Sequence, residues 1–153
     1  GTLTNLLSNA LYIFDEHDLL GELDQYDLDV VLEEVLRYRA PLQSRARVTT
    51  QPLTLGGVDI PEGETVILWI GSANRDPDQF ANPNSFIPDR DPDHLSFGRG
   101  PHTCIGAPLA RLEAPIALQT FFDTFDRIDI GSAHQPTPNP SELGFEQLPV
   151  EAD

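Results

Sequence analysis

The chain has 153 residues, 39% of them hydrophobic, which is enough for one domain with a core. It carries 25 acidic residues against 9 basic ones, a formal charge of -16, and every basic residue is Arg. Phosphate binding needs clustered cations, so nucleic acid and anionic membranes are not expected partners.

The chain opens on Gly1 rather than Met and without a charged-then-apolar signal segment. If it is a fragment, an anchor could lie upstream. Residues 3–14 carry Leu3, Leu6, Leu7, Ala10, Leu11 and Phe14 at helical spacing. Seven carboxylates between Asp15 and Asp29 read as a solvated face. So acidic a chain, lacking Lys, also suits concentrated salt, where screening suppresses self-repulsion; an ordinary acidic bacterial protein is the alternative.

A second helix is expected from Leu28 to Tyr38, with Asp27 as N-cap, Val31, Leu32, Val35 and Leu36 inward, and Pro41 beyond its end. Segments 46–50, 53–55 and 58–60 predict a small antiparallel sheet, turning at Gly56-Gly57. Thr65 to Ile70 continues it as a buried strand or enters a helix; its apolar run, Val66 to Ile70, is too short to span a bilayer. From Asn74 to Arg90, Pro and Asn predict an irregular segment held by Phe80, Phe86 and Ile87. A helix is expected over Ile105 to Phe122, with Leu109, Leu112, Ile116 and Phe121 buried and Pro115 a source of a kink. Residues 132–139 read as loop and 145–150 as a last strand. His17, His94 and His134 are given no role.

The segment Phe97-Gly98-Arg99-Gly100-Pro101-His102-Thr103-Cys104-Ile105-Gly106 joins a flexible loop, the only thiol and a helix start. Glycines let a flat group approach the main chain. A helix N-terminus favours a thiolate. A lone Cys forms no internal disulfide and is usually a small buried hydrophobe, so the case for a ligand rests on its surroundings.

The loop resembles the cysteine-ligand loop of the cytochrome P450 family, Phe-x-x-Gly-x-(His or Arg)-x-Cys-x-Gly, at every fixed position. Glu34-Val35-Leu36-Arg37 is similar to the family's Glu-x-x-Arg motif, with Arg90 in the place of the third member of that charge cluster. Gly56 to Gly63 and Asn74-Arg75-Asp76-Pro77 resemble two further turns. The likeness runs along the whole chain but spans only the family's C-terminal portion.

The resemblance implies a mainly α fold with small antiparallel β-sheets (α+β), the C-terminal part of the cytochrome P450 fold, with residues 1–153 forming one partial domain. It implies haem b ligated by Cys104, with His102 and Arg47 (or Arg45) at the propionates and Phe97, Gly98 and Gly106 against the ring. Oxygen insertion into a small organic substrate would follow, fed by an electron-donor protein such as ferredoxin, in the cytoplasm. Leu42 to Ser44 and Ser141 to Gly144 would lie near substrate. By position Thr2 would be the hydroxyl that helps deliver protons, while the acidic residue before it falls on Gly1, a departure from the pattern.

Other readings are weaker. Asp89, Asp91 and Asp93 mimic a calcium loop, but His94 and Gly100 replace its required Gly and Glu. A Cys104–His102 nucleophile pair would need side chains that meet across one short loop. A haem-binding remnant without activity is the main alternative to an enzyme. The isolated chain is expected to bind haem poorly and not to turn over substrate.

Overall fold

The computed structural model describes residues 1–153. Helix α1 (Thr2–Glu16) opens the chain and buries Leu6, Ala10, Ile13 and Phe14, with Asn5 and Asn9 on the same face. Leu3, Leu7 and Leu11, from the same helically spaced apolar set, are only partly buried against that core. The helix ends because Asp18 adopts a left-handed conformation (φ 56°). Leu19 N–H then reaches back to Phe14 O at 2.7 Å and Asp18 N–H to Asp15 O at 3.1 Å. This is a Schellman closure with Asp where Gly is usual, and it returns Leu19 to the core beside Phe14. The carboxylates from Asp15 to Asp29 are all exposed, as expected.

Helix α2 (Leu28–Tyr38) starts at Asp27, whose carboxylate accepts from Asp29 N–H at 3.0 Å. Its inner face packs Val31, Leu32, Val35 and Leu36 on α1 and on α4 (Ala107–Thr124). Phe86, from the irregular segment, closes the same core. His17 caps α1 and packs its ring on Phe86 and Tyr38 (centroids 5.1 and 6.1 Å), so it is part of this seam.

The β structure differs from the single sheet expected. Strand β1 (Ser44–Val48) pairs antiparallel with β4 (Thr65–Trp69), while β2 (Leu53–Leu55) and β3 (Val58–Ile60) form a separate hairpin between them. Gly56 and Gly57 both take positive φ, which a two-residue turn of this hand requires. Strand β4 is largely exposed rather than buried, and at Ile70 it gives way to one turn of helix, α3 (Ile70–Ala73). Thr65 to Ile70 is thus a strand, though not a buried one, that enters a helix at its last residue.

The inner face of α4 is not the expected one. Leu109, Leu112 and Ile116 are 55%, 61% and 57% exposed and Phe121 is only half-buried, whereas Ala107, Ala114 and Leu118 face inward. Small alanines let α4 lie close to α1 and α2, which leaves the larger apolar residues on the outer stripe. Pro115 does not end the helix, which runs on to Thr124.

The tail also carries more strand than expected. Strand β5 (Ile128–Ile130) pairs with β8 (Val150–Ala152), and β6 (Gln135–Pro136) with β7 (Phe145–Gln147). His134 packs on Tyr12 and Phe145, so it too joins elements. No helix is long and apolar enough to cross a membrane.

Candidate functional site

Cys104 lies on an exposed turn three residues before α4. Its backbone N–H donates to Phe97 O at 2.8 Å, which closes the loop on itself. Gly98 and Gly100 take φ of 71° and 81°, conformations that a side chain would strain. Thr103 bonds Gly100 O through both its N–H (3.0 Å) and its hydroxyl (2.8 Å). A Cβ on Gly106 would sit 3.8 Å from the Cys104 sulfur, so glycine keeps that side open. Ile105, beside the sulfur in sequence, is 99% exposed. A soft sulfur donor, open backbone and bare apolar surface together fit a flat, largely apolar cofactor held through its metal.

A buried charge cluster joins α2 to the irregular segment that precedes this loop. Glu34 and Arg37 have fully buried side chains and meet at 2.7 Å (Nε to Oε2) and 2.8 Å (Nη2 to Oε1). Arg37 Nη1 donates to Asn74 O and Pro83 O, and Nη2 to Ser85 O. All five guanidinium N–H groups are thereby satisfied, four different residues supplying the acceptors. Arg90 Nε reaches Glu34 Oε1 at 3.1 Å, and Ile87 N–H donates to the same oxygen at 3.0 Å. The cluster thus holds the irregular segment, which has no backbone ladder of its own.

A second cluster, which spacing did not suggest, adjoins the first. Arg111 on α4 makes two bonds to Glu33, 2.7 Å from Nε and 2.8 Å from Nη2, and His94 Nε2 lies 3.0 Å from Glu33 Oε2. His94 is 9% exposed, and its Nδ1 accepts from Ser96 N–H at 3.1 Å, so it is not an idle loop histidine. Burial pushes the Glu33 carboxyl up, but the bonds from Arg111 and His94 outweigh it and hold it at about 2. The Arg111 guanidinium is correspondingly raised, chiefly by its bond to Glu33. Asn74, fully buried, ties the same stretch by accepting from Leu95 N–H (2.8 Å) and donating to Ser96 Oγ (2.9 Å). The only local signal was a carboxylate next to Glu34 and a histidine three residues before Phe97; partners 61 and 78 residues distant leave no periodic trace.

Other expected residues lie apart from the loop's bonds. His102 is exposed in the short 3-10 turn Gly100–His102. Arg45 and Arg47 are exposed on one face of β1, and Arg47 Nη1 donates to Ala46 O at 2.8 Å. Thr2 is exposed at the first turn of α1. The stretches 42–44 and 141–144 do come together: Gln43 N–H donates to Ser141 O at 2.9 Å, Leu143 N–H to Pro41 O at 2.9 Å, and the Ser44 and Ser141 hydroxyls are 3.1 Å apart. Asn9 joins them to α1, donating to Arg39 O at 3.1 Å and Leu143 O at 2.9 Å. Arg39 Nε returns a bond to Asn9 Oδ1 at 3.0 Å.

A family model described as Cytochrome P450 matches residues 26–152. The chain is 44% identical to Cytochrome P450 119 of Sulfolobus acidocaldarius, over 97% of its own length and 41% of that protein's. It is also 44% identical to Cytochrome P450 109 of Bacillus spizizenii, over 97% and 38%. The crystal structure of CYP109E1 from Bacillus megaterium in complex with corticosterone superposes with a TM-score of 0.90 and 39% identity, over 97% of this chain and 42% of that one. The chain spans about two-fifths of the length of these curated relatives.

Proposed function

The chain belongs to the cytochrome P450 family, and on that premise we propose that it carries the sulfur-ligand half of a haem-thiolate monooxygenase. The observation that carries this reading is Cys104, the only thiol, exposed on a glycine loop closed by its bond to Phe97, in a chain that also assembles the buried Glu34–Arg37–Arg90 cluster. Haem b, when bound, supplies oxygen activation, and a thiolate ligand favours O–O cleavage over oxygen carriage.

Cys104 would hold the cofactor through sulfur, with Phe97, Gly98 and Gly106 along its near face. His102 and Arg47 would donate to its carboxylates, which suits two exposed donors of which Arg47 bonds only the neighbouring Ala46 O. Thr2, at the start of α1, would hold a hydroxyl proton near the reacting oxygen. Residues 42–44 and 141–144, joined by hydrogen bonds, would meet a small organic substrate as one unit. A ferredoxin would supply electrons, in the cytoplasm.

Adding ferric haem to the chain, reducing it with dithionite and exposing it to carbon monoxide tests the ligand directly. The expected result is weak binding with the red-shifted Soret band of a thiolate-ligated ferrous–carbon monoxide complex, lost in Cys104→Ser. The same spectrum from chain and variant would overturn the assignment.

A further inference from the structure

Two adjacent glutamates on α2 reach in different directions. Glu34 binds the irregular segment through Arg37 and Arg90, whereas Glu33 binds the approach to the Cys104 loop through His94 and the helix after it through Arg111. Between these last two stands one ring. The Arg111 guanidinium lies over Phe97, 4.7 Å from its centroid, and the His94 ring is 5.8 Å from the same ring. Phe97 O is in turn the acceptor for Cys104 N–H.

We propose, resting on the haem-thiolate reading of Cys104, that Glu33, His94 and Arg111 are positioning residues that clamp Phe97 and thereby set the place of the Cys104 sulfur. Each bond in the chain of contacts is specific in direction. A bidentate Arg–carboxylate pair fixes both the distance and the plane of the guanidinium, and that plane is the surface on which Phe97 rests. Lysine in place of Arg111 keeps the charge but loses the fork and the flat face. His94 is held at both nitrogens, so its ring has one orientation in the cluster. The loop's other restraints are local to it, the Thr103 bonds to Gly100 O and the exposed Arg99–Asp93 pair, while its tip residues 98–105 are exposed and its two positive-φ glycines lose much conformational freedom on ordering. Without the clamp, the Phe97 to Cys104 bond would open locally while the helical core stayed closed.

Amide hydrogen exchange and alkylation of the single thiol test this in the chain without haem, so the result does not depend on the cofactor reading. Arg111→Lys and His94→Ala are expected to speed exchange at Cys104 and Gly98 by about tenfold or more, with amides of Ala10 and Ile13 in α1 unchanged. Alkylation of Cys104 should change in rate at constant folded population. His94→Gln, whose amide can still donate to Glu33, should recover part of the loss, and Arg127→Ala, which removes only the exposed pair with Asp129 outside the loop, should leave both readouts unchanged. Unchanged exchange at Cys104 in both clamp variants would overturn the proposal, as would acceleration shared equally by α1, which would mean a general loss of stability.

Discussion

Glu34 and Arg37, one turn apart on α2, form a two-point ion pair from which solvent is entirely excluded. On an exposed helix such a pair is worth a few tenths of a kcal/mol. Here the guanidinium also gathers three backbone carbonyls from residues 74, 83 and 85, so its removal orphans both a carboxylate and a stretch of irregular chain.

Arg37→Ala is therefore expected to destabilise by about 3–5 kcal/mol, since it leaves a buried charge without its main partner. That is a large part of an ordinary domain's stability. Arg37→Lys should recover little, because three donors cannot replace five. Urea denaturation followed by circular dichroism measures both.

The Glu33 carboxyl is held at about 2, below its ordinary value of 4.5. A depressed carboxylate stabilises the folded state fully above the unfolded pKa and loses that contribution as pH falls through the folded one. The window is thus from about 4.5 down to about 2. The full shift would correspond to about 3 kcal/mol, which screening at a partly exposed group reduces to on the order of 1–2 kcal/mol. Urea melts across that window should show the stability gap between the chain and Glu33→Gln closing as pH falls; a gap independent of pH contradicts it.

Asn9 is fully buried and binds two carbonyls and one guanidinium N–H. Asn9→Ala should cost about 2–3 kcal/mol, because it leaves those partners unsatisfied. Exchange at Leu143, whose N–H holds Pro41 O, should rise with it.

On α4 the two faces should respond oppositely. Leu118→Ala, at the inner face, is expected to cost about 2–5 kcal/mol, whereas Leu112→Gln, on the outer stripe, should stay within about 0.5 kcal/mol. Equal losses would place Leu112 in a core that the fold does not give it.

With a net charge of -16 and no Lys, the chain should gain stability with added sodium chloride as self-repulsion is screened. Thermal melts in dilute and concentrated salt check this, and an unchanged midpoint would remove the case for adaptation to high salt.

Elements whose signals are local can be read from the order of residues. Asp27 caps α2 as its side chain requires, Gly56-Gly57 turns a hairpin, and the Cys104 loop is written in ten consecutive residues. Glu34 and Arg37 could meet because three residues is one helical turn. Packing between distant segments sets which face of α4 is inward, inserts a hairpin between two paired strands, and brings His94 into a cluster. Periodicity gives the width of an apolar stripe, and on α4 apolar residues lie on both sides, so the choice fell to which side could approach α1 and α2 closely. Contacts such as Glu33 with Arg111 depend on where α2 and α4 come to rest together, a relation between distant segments that leaves no mark in the spacing of either one.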